Sequence, residues 1–411
     1  MSIHNDAQQI ITAALAACLP NEAVRRALSA HTVRDGRVFL VAVGKAAWQM
    51  AACAADILGQ KLHRGIVITK YGHSKGEIAR CRIVEAGHPV PDENSYAGTK
   101  LVMEMVEDLE RDDEVIFLVS GGGSALFEYP LIEKETMEAL TQQLLASGAN
   151  IVEMNTIRKR LSAVKGGRFA QLCAPAQVFS IVLSDIIGDP LDMIASGPAY
   201  PDSSTCAEAE AIAAKYGLKL TAEMEKLLRT ETPKTLTNVE TIVTGSVRQL
   251  CKAAADTCRA LGYEPVFLTD HLTCEAREAG AFLSAVARSH DDSPRSLAFI
   301  AGGETVVHLT GSGKGGRNQE LALAAAEGIA GMDDTVIFSL GSDGTDGPTD
   351  AAGGLVDGTS AAALHRAGLT IHEVLQRNDA YHALKAIGGL LITGPTGTNV
   401  NDVAEIGRAH V

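Results

Sequence analysis

Two cations stand in glycine-rich turns, each just before a stretch whose pattern predicts a helix. Lys45 follows Gly44, and Arg317 follows Gly315 and Gly316. A positive charge in the first turn of a helix opposes the helix macrodipole, at a cost of under about 1 kcal/mol. A bound anion would remove that cost, because the first amides of a helix also point at it. We therefore expect each cation to face a bound anion, although a solvent-exposed side chain explains Lys45 about as well.

A third glycine-rich turn lies between two serines, Ser120 and Ser124. The three residues between them, Gly121, Gly122 and Gly123, leave their backbone amides open to a ligand. Exposed amides together with hydroxyl groups suit a phosphate or a carboxylate. The segment is neither a Walker A loop nor a Gly-x-Gly-x-x-Gly dinucleotide fingerprint. A flexible turn would not need three glycines in a row, so we interpret the five residues as an anion-binding loop.

Carboxylates follow two of the predicted strands. Asp185 and Asp189 come after Ser184, and two aspartates on one loop could ligate Mg²⁺, which takes one or two carboxylates plus substrate phosphates. Asp343 and Asp346 follow a later strand, and either could hold a metal or accept a proton. A plain turn explains each aspartate at least as well when it is taken singly. A calcium loop is excluded, because the glutamate required at its last position is absent.

Other candidate binding residues lie in turns rich in glycine or in charge. Lys165 and Arg168 flank a Gly-Gly pair in a cationic segment. Such a segment is usually a solvated helix face, but this spacing could also aim both side chains into a cleft. The remaining candidates are Asn155 in the same segment, Gly302, Gly303, Glu304 and Thr305 after a strand, and Asn318 beside Arg317. Glycine loops, separate cations and loop carboxylates are the groups that phosphoryl transfer uses, but they do not choose a substrate.

The composition indicates a folded protein with the length of two domains. Of its 411 residues, 46% are hydrophobic, which is enough to bury a large core and excludes a disordered chain. The formal net charge of −14 argues against general binding to nucleic acid or to anionic membranes. No apolar run reaches the roughly 18 residues of a membrane span, and the N-terminus lacks the basic flank of a signal peptide. The 8 cysteines form no Cys-x-x-Cys pair, so we expect reduced thiols in a cytoplasmic protein.

The elements that must position these residues alternate along the chain. Short, nearly continuous apolar runs alternate with amphipathic stretches, which favours parallel sheets covered on both faces. The predicted strands are Val38–Val43, Ile66–Thr69, Val115–Ser120, Val178–Ser184, Thr241–Thr244, Pro265–Thr269, Leu297–Ala301, Thr305–Leu309, Val336–Leu340 and Leu390–Thr393, and the predicted helices include Ala46–Leu58, Ser95–Arg111, Lys134–Ser147 and Gln319–Ala330. Because Leu297–Ala301 and Thr305–Leu309 are too close for a crossover, we expect a hairpin there, which would make the second sheet mixed.

A strand-poor stretch near the middle of the chain marks a candidate domain boundary. It covers Asp202–Asn238 and contains Pro233 near its end. We therefore predict two α/β domains, over residues 1–235 and 236–404, that face each other across a cleft. Small-molecule sites commonly lie at such interfaces, so the cleft is the expected place of the site.

At these same segments the chain resembles the glycerate kinases of the MOFRL type. The matching strings are VAVGKAAWQMA, GHPVPDENS, VSGGGSAL, NTIRKRLSAVKGGR, SDIIGDPLDMIASGP, GGETVV, GKGGRNQE, SLGSDGTDGPTDAAGG and TGPTGTNVND, which together span Val41 to Asp402. The resemblance implies ATP- and Mg²⁺-dependent phosphorylation of D-glycerate to 2-phosphoglycerate. It also implies an N-terminal Rossmann-like α/β/α sandwich with a largely parallel sheet, a C-terminal MOFRL α/β domain with a mixed sheet, and an active site in the cleft between them.

The resemblance assigns roles to the candidate residues. Lys45 would neutralise the transferred phosphoryl group, and Arg317 or a neighbouring cation would pair with the glycerate carboxylate. Asp189 and Asp343 would be the candidates for holding Mg²⁺. One of the two, with Asp189 as the candidate catalytic residue, would accept the proton of the substrate hydroxyl. ATP and D-glycerate would be the small-molecule partners, with no nucleic acid or membrane among them. A homodimer is the assembly to consider, although the sequence does not fix the oligomeric state.

Two other functions stay open at this point. Some similar proteins are labelled hydroxypyruvate reductases, but an NAD(P)H-dependent reductase would need a dinucleotide fingerprint, and no second glycine follows Gly44 at the right spacing. A non-catalytic sensor of sugar acids or nucleotides could use the same cleft, although it would not need every cation and carboxylate of the family motifs. The last residues, Glu405 to Val411, resemble a translated sequencing adapter, and we expect them to be a non-native tail.

Overall fold

The computed structural model describes residues 2–408, which form two compact units. The unit that we call the C-terminal unit combines the segments Met1–Glu22, Ser184–Gly188 and Gly245–Val411, as far as they are described. The N-terminal unit combines Ala23–Leu183 with Asp189–Thr244. The sequence assigned the start of the chain to the N-terminal domain, whereas in the structure it packs with the C-terminal unit.

Strands and helices alternate through most of the described chain. The strands are β1 (Val38–Val43), β2 (Leu62–Lys70), β3 (Cys81–Ala86), β4 (Glu114–Val119), β5 (Gln177–Leu183), β6 (Val239–Gly245), β7 (Glu264–Leu272), β8 (Leu297–Gly303), β9 (Thr335–Gly341), β10 (Gly353–Asp357), β11 (Leu390–Leu391) and β12 (Asp402–Arg408). The helices are α1 (Ile3–Ala17), α2 (Pro20–Ala30), α3 (Ala47–Leu58), α4 (Glu93–Met105), α5 (Gly123–Leu126), α6 (Lys134–Ala146), α7 (Ile151–Arg160), α8 (Arg168–Leu172), α9 (Cys206–Lys215), α10 (Ala222–Leu228), α11 (Val247–Ala260), α12 (Ala276–Ser289), α13 (Arg317–Gly328), α14 (Ser360–Arg366), α15 (Ile371–Gln376) and α16 (Ala380–Ala386). Within residues 2–408, no helix combines the length and the apolar character that crossing a bilayer requires.

The N-terminal unit is built on a six-stranded sheet in the order β3-β2-β1-β4-β5-β6. β1 pairs in parallel with β2 and β4, and the pairs β2–β3 and β4–β5 are parallel as well. β1 and β4 are buried along their whole length, which explains the uninterrupted apolar sequence of β1 and of β4 after Glu114. The register sets Val43 opposite Val119, so Gly44 and Ser120 begin neighbouring loops at one edge of the sheet.

The C-terminal unit contains a mixed six-stranded sheet in the order β11-β10-β9-β12-β8-β7. β7 and β8 are parallel, whereas β12 runs antiparallel to both of its neighbours, β8 and β9. Side chains of β8 alternate between two apolar clusters: Ala298 and Ile300 pack with α1 and α11, and Leu297, Phe299 and Ala301 pack with α12 and α13. Helices therefore cover both faces of this sheet, and the two expected α/β units, one with a mixed sheet, are confirmed.

The predicted hairpin after β8 is wrong. β8 has β7 on one side and β12 on the other, so neither edge is left for a strand over Thr305–Leu309. That segment instead runs past the end of β7, where the Val306 amide donates a hydrogen bond to the Cys274 carbonyl (3.1 Å). Its apolar side chains are largely exposed, Val306 at 56% and Leu309 at 77%. The sheet is mixed because β10 and β12 run antiparallel to their neighbours, and the sequence predicted neither strand.

The predicted non-native tail begins inside β12. Glu405 and the three residues after it belong to this strand, between β8 and β9. The rest of the predicted tail, residues 409–411, lies outside the described residues. That residues 405–411 are non-native stays a prediction.

Candidate active site

The loops that follow β1 and β4 are joined by hydrogen bonds. The Lys45 amide donates to the Gly121 carbonyl (2.9 Å), and the Ala46 amide donates to the Ser120 hydroxyl (3.1 Å). The same hydroxyl donates to a carbonyl at the end of β1 (3.3 Å), so the serine ties both loops to the sheet. Two turns that the sequence singled out separately thus form one structure. We call it the loop pair, residues 44–46 with residues 120–124.

Close contacts require glycine at two positions of the loop pair. A Cβ on Gly44 would lie 2.2 Å from the Ser120 hydroxyl, and the backbone there has a φ of +119°, which side chains disfavour. On Gly122, with a φ of +86°, a Cβ would lie 2.9 Å from the His88 ring and 3.3 Å from Lys45 Cγ. His88 and Lys45 therefore border the same space above Gly122, and the glycine keeps that space open.

Lys45 carries the free positive charge of the loop pair. Its ammonium group makes no hydrogen bond or ion pair with a residue between Ser2 and Arg408. Burial lowers the pKa of His88 below its ordinary value, and the nearby Lys45, Lys70 and His73 lower that pKa further. His73 is held by a hydrogen bond from its Nδ1 to the Lys45 carbonyl (3.0 Å). A free ammonium among further basic groups suits the binding of an anion.

His88 lies beside the loop pair, and it was not among the predicted site residues. It follows β3 closely, at the same edge of the sheet as the loop pair, because β3, β2, β1 and β4 run parallel. One feature of the sequence could have pointed to His88, because it lies in the string GHPVPDENS directly after an apolar run. That run was not recognised as a strand, so nothing in the sequence linked the histidine to the glycine loops.

A chain of polar side chains lies behind the glycines of the loop pair. Ser124 Oγ lies 3.0 Å from Ser196 Oγ, and the Ser196 hydroxyl lies 3.1 Å from the Asn155 side-chain oxygen, to which it donates. Ser196 and Asn155 are both buried. The structure therefore brings together two predicted binding residues, Ser124 and Asn155, and it adds Ser196 as the link between them.

Lys165 and Arg168 contact the protein itself. The buried Lys165 ammonium donates to the carbonyls of Ser124 (2.8 Å) and Phe127 (3.1 Å), which fixes α5 directly after the glycines. Burial lowers the pKa of Lys165 to about 8, although the nearby Glu128 carboxylate opposes that shift. The Arg168 guanidinium donates to backbone carbonyls at the end of α7. Both side chains therefore hold backbone segments in place through hydrogen bonds. That either one contacts a ligand stays a prediction.

Arg317, in the C-terminal unit, is surrounded by carboxylates of the protein. Its guanidinium forms a two-pronged ion pair with Asp402, at 2.5 Å and 3.0 Å, and a further bond with Glu304 at 3.0 Å. Burial would lower the pKa of Arg317, but the hydrogen bonds and charge of Asp402 outweigh burial and raise it. Two carboxylates of the protein therefore already engage Arg317, and a bound anion beside it stays a prediction. Asp402 was missed, although it is the last residue of the matching string TGPTGTNVND.

The first amides of α13 are also occupied from within the protein. The buried Asp346 carboxylate accepts hydrogen bonds from the amides of Asn318 (3.2 Å) and Gln319 (2.8 Å). Burial raises the pKa of Asp346, and those two amides partly offset the rise. The Asn318 side chain is in turn held by the Ser339 hydroxyl, at 2.5 Å. Asp346 therefore acts as a helix cap, which explains why a cation is tolerated in the first turn of α13.

A cavity of about 960 Å³ lies beside Arg317 in the C-terminal unit. This volume is at the upper end of the range for small-molecule sites. Its wall joins the apolar side chains of Val306, Val307 and Leu309 to the carboxylates of Glu304, Asp343 and Asp346. Of the predicted binding residues, Glu304, Thr305, Gly315 and Gly316 also belong to this wall. Gly302 does not, because it packs against the Cys251 side chain in the core, and Gly303 packs against the end of β7.

The predicted metal ligands occupy contrasting positions. One oxygen of the Asp189 carboxylate is buried without a hydrogen-bond partner, which fits a carboxylate that would receive a cation. Asp343 instead accepts a hydrogen bond from the Thr345 amide (2.9 Å), as in a turn. Ser184 donates to a carbonyl of its own loop, and the Asp185 carbonyl accepts from Asn401 (3.1 Å). No group of three or more His, Cys, Asp or Glu side chains within residues 2–408 is arranged to hold a metal ion.

Two families of known proteins match the chain. One is described as a domain of unknown function, DUF4147, and matches residues 6–229. The other is the MOFRL family, which matches residues 297–402. Together the two matches cover most of the N-terminal unit and the strands and helices around the Arg317 cavity.

Similar proteins extend along the whole chain. A D-glycerate 2-kinase from Thermotoga maritima is 50% identical over 98% of this chain and 97% of its own length. A protein of Agrobacterium vitis with a provisional hydroxypyruvate reductase name is 39% identical over 97% of this chain and 93% of its own length. The crystal structure of a glycerate kinase from Thermotoga maritima matches with a TM-score of 0.94 and 49% identity, covering 98% of this chain and 99% of that chain. The chain therefore belongs to the glycerate 2-kinase family, as a kinase with a MOFRL domain in its C-terminal part.

Proposed function

We propose that the chain transfers the terminal phosphoryl group of ATP to the C2 hydroxyl of D-glycerate, with Mg²⁺, and so forms 2-phosphoglycerate. The name of the Thermotoga maritima relative, D-glycerate 2-kinase, supports the substrate and the position. The observation that carries the proposal is the free Lys45 ammonium beside a triple-glycine loop. A pre-positioned cation stabilises charge that develops on a transferred phosphoryl group without any reorganisation of the site.

In this proposal the loop pair binds the anionic oxygens of the reaction. Lys45 supplies the charge, and the backbone of Gly121 to Gly123, with the Ser124 hydroxyl, supplies hydrogen bonds. Lys165 contributes indirectly, since it fixes the backbone of Ser124. Arg317 is the candidate for binding the glycerate carboxylate. To do so, Arg317 would release Glu304, whose side chain is 45% exposed, before it released Asp402, whose side chain is 8% exposed.

Mg²⁺ would be held by Asp189, with Asp343 as the second candidate. The unpartnered Asp189 oxygen supports this choice, because a buried carboxylate oxygen without a hydrogen bond gains most from a cation. When bound, the ion would neutralise charge on the phosphates of the nucleotide. The cavity beside Arg317 is large enough for a nucleotide, and its acidic wall suits one that is bound together with a divalent cation.

A coupled assay tests the proposal. The purified chain should release ADP from ATP and Mg²⁺ when D-glycerate is added, and ³¹P NMR of the product should show 2-phosphoglycerate. L-glycerate is the matched control substrate. ADP release that does not depend on glycerate, or a product phosphorylated at C3, would contradict the proposal.

The second candidate function is an NAD(P)H-dependent hydroxypyruvate reductase. The provisional name of the Agrobacterium vitis relative favours it, whereas the absence of a dinucleotide fingerprint after Gly44 weighs against it. Loss of NADH on addition of hydroxypyruvate, without ADP release on glycerate, would establish this function in place of the kinase. Calorimetric binding of glycerate and ATP without turnover of either would instead indicate a sensor. A homodimer remains a prediction, and sedimentation of the same sample tests it.

A further inference from the structure

His88 lies beside the loop pair but has no role in the function proposed above. Its ring and the Lys45 side chain border the same space above Gly122, as the contacts of a hypothetical Cβ there indicate. The imidazole makes no hydrogen bond to another residue of the described chain, and it is partly exposed. A histidine with a merely structural role normally bonds a carbonyl or a carboxylate, as His73 and His31 do in the same unit. The free His88 ring therefore faces the space in which the loop pair would hold its ligand.

The surroundings of His88 favour the uncharged form of its imidazole. Lys45, Lys70 and His73 are the charged or titratable groups that act on it, and all three disfavour the protonated ring, as burial does. The nearest carboxylate on the same turn, Asp92, is occupied by the Tyr71 hydroxyl and by Ser95. An uncharged imidazole can accept a proton at neutral pH.

We propose that His88 is a catalytic residue that accepts the proton of the glycerate C2 hydroxyl during phosphoryl transfer. This inference rests on the proposed function and deepens it. As the bond forms between the C2 oxygen and the terminal phosphorus of ATP, the bond from that phosphorus to the bridging oxygen breaks, and ADP leaves with the electron pair. The hydroxyl proton passes to a ring nitrogen of His88, which later returns it to water.

His88 suits this role better than the two aspartates that the sequence suggested. A carboxylate that holds a cation is a weak base, and the unpartnered oxygen of Asp189 favours cation binding. Asp343 is engaged by the Thr345 amide. Within residues 2–408, His88 neither holds a cation nor accepts a hydrogen bond from a backbone amide. It lies beside Lys45, where the phosphoryl group is expected.

The test compares His88→Gln with the control His63→Gln. His63 is an exposed histidine near the opposite end of β2, away from the loop pair. We expect His88→Gln to lower kcat with D-glycerate about 10²-fold, with the KM for ATP changed less than twofold, and to abolish the fall of kcat/KM on the acidic side of the pH profile. The control should keep the wild-type profile. A kcat within threefold of wild type, with the acidic fall retained, would overturn the role of His88.

A second variant keeps the test valid if His88→Gln does not fold. Lys70→Gln removes a charge that lowers the pKa of His88, so the acidic fall of kcat/KM should move to higher pH. An unmoved profile would overturn the inference. Failure of the proposed function looks different, because then the wild-type chain would not release ADP on glycerate at all.

Discussion

Lys45 and Arg317 stand in similar sequence contexts, a glycine followed by a cation and then a helix, yet their surroundings differ. The Lys45 ammonium has no partner among residues 2–408, and the groups that act with it on His88 are all basic. The Arg317 guanidinium is bound by Asp402 and Glu304. The same local pattern therefore gives a free charge in one unit and a neutralised charge in the other.

The two cations therefore differ in what explains their positions in the fold. A free, partly exposed ammonium contributes little to stability, so its position is best explained by what it binds. A guanidinium in a two-pronged pair with a buried carboxylate stabilises the fold, since removing it leaves that carboxylate without a partner. The glycine–cation pattern alone does not indicate an external ligand; the partners of the cation must also be known.

The largest effect on activity should come from Lys45→Ala. We expect kcat for glycerate phosphorylation to fall about 10³-fold, because charge on the phosphoryl group would no longer be neutralised. The free energy of unfolding should change by less than about 0.5 kcal/mol. Steady-state kinetics and urea unfolding measure the two quantities, with exposed Lys226→Ala as the control. Near-normal activity would remove Lys45 from the site.

Arg317→Ala should instead reduce stability. We expect a loss of roughly 2–4 kcal/mol, below the full value for a buried pair because about a third of Arg317 is exposed. Urea unfolding measures it, and the control is Arg295→Ala, whose pair with Glu264 is exposed and should contribute under about 1 kcal/mol. Equal losses of stability in Arg317→Ala and Lys45→Ala would contradict the different roles of the two cations.

Glu405 should make the stability of the C-terminal unit depend on pH. Burial raises the pKa of this carboxyl group from 4.5 to about 8, and its hydrogen bond with Cys258 offsets only part of the rise. The folded state therefore disfavours the ionised form, so the contribution of Glu405 to stability is greatest below pH 4.5 and is lost as the pH rises through about 8. Glu405→Gln should be more stable than wild type at pH 8, by a few kcal/mol, and nearly equal at pH 4.

Urea unfolding at both pH values checks the Glu405 prediction, with the exposed Glu327→Gln as the control. The unfolding signal should come from the C-terminal unit, where Glu405 lies. A stability difference between Glu405→Gln and wild type that does not grow between pH 4 and pH 8 would contradict a buried carboxylate without an ion pair in β12.

The smallest effect should come from Ser120→Ala. The Ser120 hydroxyl bonds the Ala46 amide and the end of β1. Its loss should lower the free energy of unfolding by about 1 kcal/mol and reduce kcat less than Lys45→Ala does, because the charge of Lys45 would remain. A variant as inactive as Lys45→Ala would mean that the hydroxyl itself binds the ligand.

The sequence predicted the parts of the fold that depend on local pattern. β1 agrees with the predicted Val38–Val43, because a fully buried parallel strand is an uninterrupted apolar run. The predicted strands end just before Gly44 and Gly121, and in the structure both loops lie at one edge of the sheet, since loops at the carboxyl ends of parallel strands share that edge. The strings that carry the family resemblance include these same glycine turns.

The missed features depend on contacts between distant segments. Asp402 and β12 come from the end of the chain and lie between β8 and β9, which no local periodicity can reveal. The apolar residues after Gly303 suggested a hairpin, but strand order decides which edges are free. His88 had no sequence neighbour with related chemistry, so only the register of four strands could bring it to Lys45.

A crystal structure with a non-hydrolysable ATP analogue, Mg²⁺ and D-glycerate would show whether the loop pair binds the reacting anions. We expect a phosphoryl or carboxylate oxygen within about 3 Å of the Lys45 ammonium, above Gly122 and next to His88. Ligands bound elsewhere, with the loop pair empty and Lys45 facing only solvent, would contradict it.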